Sequence, residues 1–386
     1  MKLYLDHAST TQMHPEVVKS MNESYHQFYG NPSSVHRPGY EANKRIELAR
    51  DKILSMVNAK NYHLVFTSGG TEANNLAILG MAKQHQKQTL QFMCSEIEHP
   101  SVIRVYDHLK HEGVNVSYIP VTKQGILDLK AMEKLLEEPT HMVSLMHVNN
   151  ETGIIQPVLE AVKCIREKSP KTLIHVDGVQ AFGKIAVNMS EMNPDFYSIS
   201  AHKIGGPRGI GALMIKNGVK LSPVMYGGGQ ENDIRPGTEN TPGIIGLEKA
   251  ACLKDKEISA HLTKLWEIRN LLIQQITNTV QGITIVENTE AVYQFPGILT
   301  ICVDQVKSEV ILRMLSDDGV YLSAGSACSS RKTSASHVLK AMKISNTAID
   351  GAIRISFNET LSVEQITYFV QHFEKHVNLM RKMMKR

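Results

Sequence analysis

From Leu64 to Lys216 the chain alternates short apolar runs with stretches of helical period, and no other feature narrows the fold as far. The runs Leu64–Ser68, Gln91–Ser95, Asn115–Val121, His141–Val148, Thr172–Asp177, Phe196–Ser200 and Ile210–Lys216 read as strands. Helical patterns fall between most of them, at 70–83, 101–112, 128–137 and 157–168. Strand, helix, strand at this spacing predicts a mainly parallel sheet with right-handed crossovers. Thr71, His99, Asn150, Asp177, Gln180 and Lys203 all follow the C-terminal ends of strands. Ligands of open α/β sheets bind at that edge.

Two of these residues carry a specific chemistry. Lys203 follows a strand and precedes a Gly205-Gly-Pro207 turn, and Asp177 ends the strand one crossover earlier. A lysine among apolar neighbours loses its proton more readily, and a neutral amine can form a Schiff base. A carboxylate at the next strand end can pair with a pyridinium nitrogen, so the two suit pyridoxal 5'-phosphate, with the ring as electron sink. Gly69-Gly70-Thr71 opens a helix after a strand, a pattern that presents free N–H groups and a positive dipole end to an anion. The same residues would also serve as a plain helix cap.

The remainder of the chain is read as a second, α+β unit. A Gly-rich loop spans Tyr226–Thr238, and a helix is expected from about 242 to the Trp266 region. Strands are expected near 283–286, 298–303, 320–323 and 352–357, with helices at 307–317 and from about 362. Lys+Arg 42 against Asp+Glu 38 is too mild a balance to argue for nucleic acid. No run approaches the ~18 apolar residues of a membrane span, and the first residues carry no signal core. Five scattered cysteines, without CxxC spacing, argue against a disulfide framework or zinc site and for a reducing cytoplasm.

One cysteine stands apart. Leu322–Ser336 is made almost wholly of small and hydroxylated residues, so an exposed, mobile loop is expected with Cys328 in its middle. Arg331 and Lys332 nearby favour a thiolate. Cys94, Cys164, Cys252 and Cys302 lie in apolar periodic runs, where a thiol is usually a small core hydrophobe.

Taken together, several segments resemble the NifS/IscS-type cysteine desulfurases of the class V aminotransferase family. They are Asp6-His-Ala-Ser-Thr-Thr11, Thr67-Ser-Gly-Gly-Thr-Glu72, Glu98-His99, Met146-His-Val-Asn-Asn-Glu151, His175-Val-Asp-Gly-Val-Gln180, Ser200-Ala-His-Lys203, Arg235-Pro-Gly-Thr238 and Ser326-Ala-Cys328. The resemblance implies fold-type I: a large α/β domain with a mainly parallel seven-stranded sheet at 15–255, and a small α+β domain from 1–14 and 256–386. The small domain carries the Cys328 loop, about 323–336. It implies a homodimer with Lys203 as Schiff-base lysine and Asp177 on the pyridine nitrogen. Gln180 would contact the phenolic oxygen, and His99 would stack on the ring and help move protons. Gly70, Thr71, Ser200 and His202 would hold the phosphate, with Thr238 added by the partner subunit. Asn150 and Arg354 would hold the carboxylate of L-cysteine, a task that suits the rigid guanidinium fork.

In that chemistry L-cysteine displaces Lys203, a proton leaves Cα, and the Cys328 thiolate takes the substrate sulfur as a persulfide while alanine departs. The sulfur then passes to an acceptor protein in iron–sulfur cluster assembly, tRNA thiolation or thiamine supply. Gly70 and Gly178 stand where relatives often carry Ala, Val or Thr, and Ala335 where a Pro is common. The chain closes at Arg386 without the extended tail by which some relatives engage a scaffold, so a dedicated acceptor is expected as readily as cluster assembly. The same pocket would serve a class V aminotransferase or a selenocysteine or cysteine-sulfinate lyase, and a silent scaffold is the non-enzymatic alternative.

Overall fold

The computed structural model describes residues 1–84, 91–256, 258–324 and 335–384. Its strands are β1 (Leu3–Tyr4), β2 (Tyr62–Thr67), β3 (Gln91–Ser95), β4 (Val116–Ile119), β5 (Thr140–Met146), β6 (Leu173–Asp177), β7 (Phe196–Ser200) and β8 (Gly211–Lys216). They are followed by β9 (Ile283–Val286), β10 (Ile298–Val303), β11 (Val320–Tyr321), β12 (Ser323–Ala324) and β13 (Ala352–Ser356). Seven strands form one sheet in the order β2-β8-β7-β6-β5-β3-β4, in which β8 alone runs against the others. The mainly parallel α/β layer expected from the alternation is what folds.

Helices cover both faces of this sheet, as buried parallel strands require. Val143, Val176, Tyr197, Ile199 and Met214 face a core completed by Ile46, Ile53, Val162, Ile244 and Leu247. Val65, Phe92, Phe196, Leu213 and Ile215 face the other side, against the helices Gly70–Gln84 and Pro100–His111. The two-residue period therefore puts Ser198 and Ser200, with Phe196, on the side of the Gly70–Gln84 helix.

A four-stranded antiparallel sheet, β12-β13-β10-β9, packs with the helices Ile258–Thr279, Ser308–Asp317 and Val363–Met384 around a second core. β1 joins β11 in a parallel pair, so the chain's first residues run beside its last third. No described helix is long and apolar enough to cross a membrane.

Two elements differ from expectation by more than their end residues. The helix expected from 242 to 266 is two, Thr241–Asp255 and Ile258–Thr279, because each serves a different core. The first buries Ile244, Leu247 and Ala250 against the large sheet, and the second buries Leu265, Ile268 and Leu272 against the small one. The expected strand at 320–323 divides into β11 and β12, which pair with different neighbours. The helix Arg37–Met56 is capped by His36, which accepts the Gly39 N–H. His14 and His99 cap the helices Pro15–Gln27 and Pro100–His111 in the same way, each with a proline in the first turn.

Candidate active site

The C-terminal ends of β2, β3, β5, β6 and β7 bring the site together. Asp177, the last residue of β6, is buried, and its oxygens accept the Val179 N–H (3.0 Å) and Asn74 Nδ2 (2.8 Å). Burial raises its carboxyl pKa, against the opposing pull of those two donors and of Lys203. A cation placed against such a carboxylate would offset the cost of burying it.

Lys203 ends a single 3-10 turn after β7 and donates from Nζ to the carbonyls of Ala8 (2.6 Å) and Ser9 (2.7 Å). Gln180 shares the Ala8 carbonyl through Nε2 (2.8 Å) and accepts from Lys184 Nζ at 2.5 Å. His99, at the cap that follows β3, accepts the Ser101 N–H on Nδ1 at 3.1 Å and lies 2.8 Å from Ser101 Oγ. Its pKa is lowered to about 4, first by burial and then by the charge of Lys203.

Around the opening of the Gly70–Gln84 helix the residues suit an anion. Ser200 is buried, its Oγ has no hydrogen-bond partner among the described residues, and its Cβ would lie 3.6 Å from a side chain at Gly70. Thr71 stands exposed in the first turn. His202 lies 3.2 Å from Thr10 Oγ1, with its pKa lowered to about 4 by burial. Arg235 of the Gly-rich loop pairs with Glu72 (2.7 Å), while Thr238 stands exposed. An unsatisfied buried hydroxyl beside helix N–H groups fits a phosphate, and a buried carboxylate one strand away fits a pyridinium, so these residues fit pyridoxal phosphate.

Arg354 on β13 reaches across from the small sheet. It donates to the Asn150 carbonyl (2.8 Å), to Asp6 (2.9 Å) and to Ser9 Oγ (2.6 Å), and its buried Nε has no partner among the described residues. The expected pair Arg354 and Asn150 therefore meet. Cys328, Arg331 and Lys332 lie outside the described residues.

Several contributors had no role from the sequence. Asp6 and Ser9 aim Arg354, from a segment that carried part of the resemblance. Asn74 and Ser101 link Asp177 to His99, and Glu98 sits buried behind the site on Ser95 Oγ (2.6 Å) and the Met146 N–H (2.7 Å). The available signal was polarity where the helical period calls for a core residue, as at Asn74.

Gly178 also finds its reason here. A Cβ at this position would lie 2.1 Å from both Cε1 and Cζ of Tyr197, whose hydroxyl is 3.0 Å from His147 Nδ1. We expect Gly178→Ala to cost about 2–3 kcal/mol by overpacking and to lower the melting temperature. Adding Tyr197→Met should recover part of that loss, which thermal unfolding of both variants would check. Additive losses would mean that the ring is not the obstacle.

The model of the family described as aminotransferase class-V matches residues 3–369. A cysteine desulfurase IscS of Dictyoglomus turgidum is 37% identical over 98% of this chain and 95% of its own. A solved structure titled as a NifS-like protein superposes with a TM-score of 0.91 at 33% identity, covering 98% of this chain and 100% of that one. Another, titled SspA in complex with cysteine, has a TM-score of 0.80 at 29% identity over 92% of this chain and 99% of its own.

Proposed function

Because the chain belongs to the class V aminotransferase family, among the cysteine desulfurases, we propose that it converts L-cysteine to L-alanine and passes the sulfur on through Cys328. The family depends on pyridoxal phosphate. What carries the reading is the meeting of Asp177, Lys203 and the Ser200–Gly70 opening at one sheet edge, in a chain aligned almost end to end with cysteine desulfurases.

When bound, the cofactor supplies the electron sink that lets a proton leave Cα and opens the substrate sulfur to attack. Asp177 would hold its pyridine nitrogen, Gln180 its phenolic oxygen, and Lys203 its aldehyde carbon until the substrate amine takes that place. Gly70, Thr71, Ser200 and His202 would hold the phosphate, and His99 would lie over the ring. Arg354 and Asn150 would take the substrate carboxylate, with Asp6 and Ser9 fixing the guanidinium so that little freedom is lost on binding. The Cys328 thiolate attacks the substrate sulfur, an S–S bond forms as the C–S bond breaks, and the bonding pair stays with the carbon skeleton that leaves as alanine.

The reading includes a homodimer in which the partner's Thr238 completes the phosphate site. Tyr25, Tyr29, Val35, Tyr40 and Tyr226 are exposed, and side chains of this kind are ones that a subunit interface covers. It also includes a large domain at 15–255, a small one from 1–14 and 256–386, and a cytoplasmic setting. The acceptor is read as a protein of iron–sulfur cluster assembly, tRNA thiolation or thiamine sulfur supply.

The test is to add L-cysteine to the purified protein and measure alanine together with the intact mass of the chain. Alanine with a gain of one or more sulfur atoms is the expected result. Alanine with no sulfur on the chain would sink the persulfide route.

A further inference from the structure

A buried run of hydrogen bonds joins Asp177 to His99 through two side chains that have so far had no role. Asn74 is fully buried in the Gly70–Gln84 helix and donates from Nδ2 to Asp177 Oδ2 (2.8 Å) and to Ser101 Oγ (2.9 Å). Ser101 Oγ is in turn 2.8 Å from His99 Nδ1.

The direction of each bond follows from what its atoms can do. An ionised carboxylate only accepts, so Asn74 must turn its nitrogen to Asp177 and not its oxygen. It does so although this leaves Asn74 Oδ1 buried without a partner among the described residues. The second Nδ2 hydrogen goes to Ser101 Oγ, which therefore accepts there and has its own hydrogen left for His99 Nδ1. That ring nitrogen also accepts the Ser101 backbone N–H at 3.1 Å, and a backbone amide cannot act as acceptor. Two donors on Nδ1 leave no room for a proton. The ring's neutrality is favoured by burial and by the charges of Lys203, Arg354 and Arg104.

We propose that Asn74 and Ser101 are positioning residues that hold His99 as the Nε2–H tautomer, so that the ring meets cofactor and substrate as a hydrogen-bond donor and not as a base. The functional half of this inference rests on the reading that His99 faces the cofactor; the tautomer does not.

Nitrogen-15 spectra of the histidine-labelled holoprotein test it, with the His99 signals identified by their loss in His99→Gln. Nδ1 should resonate as unprotonated and Nε2 as protonated across neutral pH, with or without the cofactor. A proton on Nδ1, or a charged ring in that range, overturns the proposal even if the protein proves to be an active desulfurase. Ser101→Ala removes one donor, so an Nδ1–H population should appear and kcat should fall ~10-fold with KM nearly unchanged. Ser101→Thr keeps the hydroxyl and should restore both. Wild-type tautomer and kcat in Ser101→Ala, or a loss that threonine does not rescue, would equally overturn it.

Discussion

Replacing Lys203 by alanine is expected to remove both the visible absorption band of the purified protein and alanine release from L-cysteine. The side chain is set by rigid neighbours: its turn is tied by the Ala201 N–H to the Ile210 carbonyl (3.2 Å) and by the Thr11 N–H to the His202 carbonyl (2.9 Å). The amine is thus held one turn past the strand end beside Ala8 and Ser9, where it would hold the cofactor. Losing the group that would anchor the cofactor covalently should exceed the loss of a single acid–base group and lower kcat by at least about a thousandfold. Lys203→Arg should be equally silent, because a guanidinium keeps its charge and cannot form the Schiff base. The fold should survive, since the Ala8 and Ser9 carbonyls lose a donor at about 1 kcal/mol each and Ala8 keeps Gln180. Spectra and alanine assays on both variants decide it; a persisting band with turnover would remove Lys203 from the centre of the site.

Cys328→Ala should be nearly as severe in turnover yet leave the cofactor spectrum intact. The other four cysteines are all biased toward the neutral thiol. Burial pushes the thiol of Cys94 far up and that of Cys302 to about 11. Cys164 and Cys252 are also raised, by partial burial and by the carboxylates beside them, Glu133 and Glu167 in one case and Glu248 and Asp255 in the other. Cys328 has Arg331 and Lys332 close in sequence, and a thiolate is the attacking form. The expected outcome is binding of L-cysteine, seen as a spectral change, with alanine release falling to background and no sulfur added to the chain. Full retention of alanine release would instead indicate a lyase that needs no protein thiol, such as one acting on selenocysteine or cysteine sulfinate.

Much of this architecture can be read along the chain because its signals are local. A strand's two-residue period, a helix's apolar stripe and a proline after a capping histidine are all encoded within a few residues, and β3 was legible to its ends. Asp177 and Lys203 were legible for the same reason: one ends an apolar strand, the other follows the next strand by a single turn, and parallel strands deliver their ends to one edge. The division of 320–323 between two sheets was not, because pairing partners do not show in a strand's own composition.

The order of elements, the class of fold and the reactive groups at the strand ends were thus determined by the sequence itself. Only the tertiary structure decided which polar groups meet. Asp6 reaches Arg354 from the opposite end of the chain, Asn74 joins Asp177 to Ser101 between a helix and a strand, and Tyr197 leaves Gly178 no room for a side chain. Such pairings form because a buried donor or acceptor must find its partner inside the fold. Which partner lies within reach depends on how the layers pack, and not on separation along the chain.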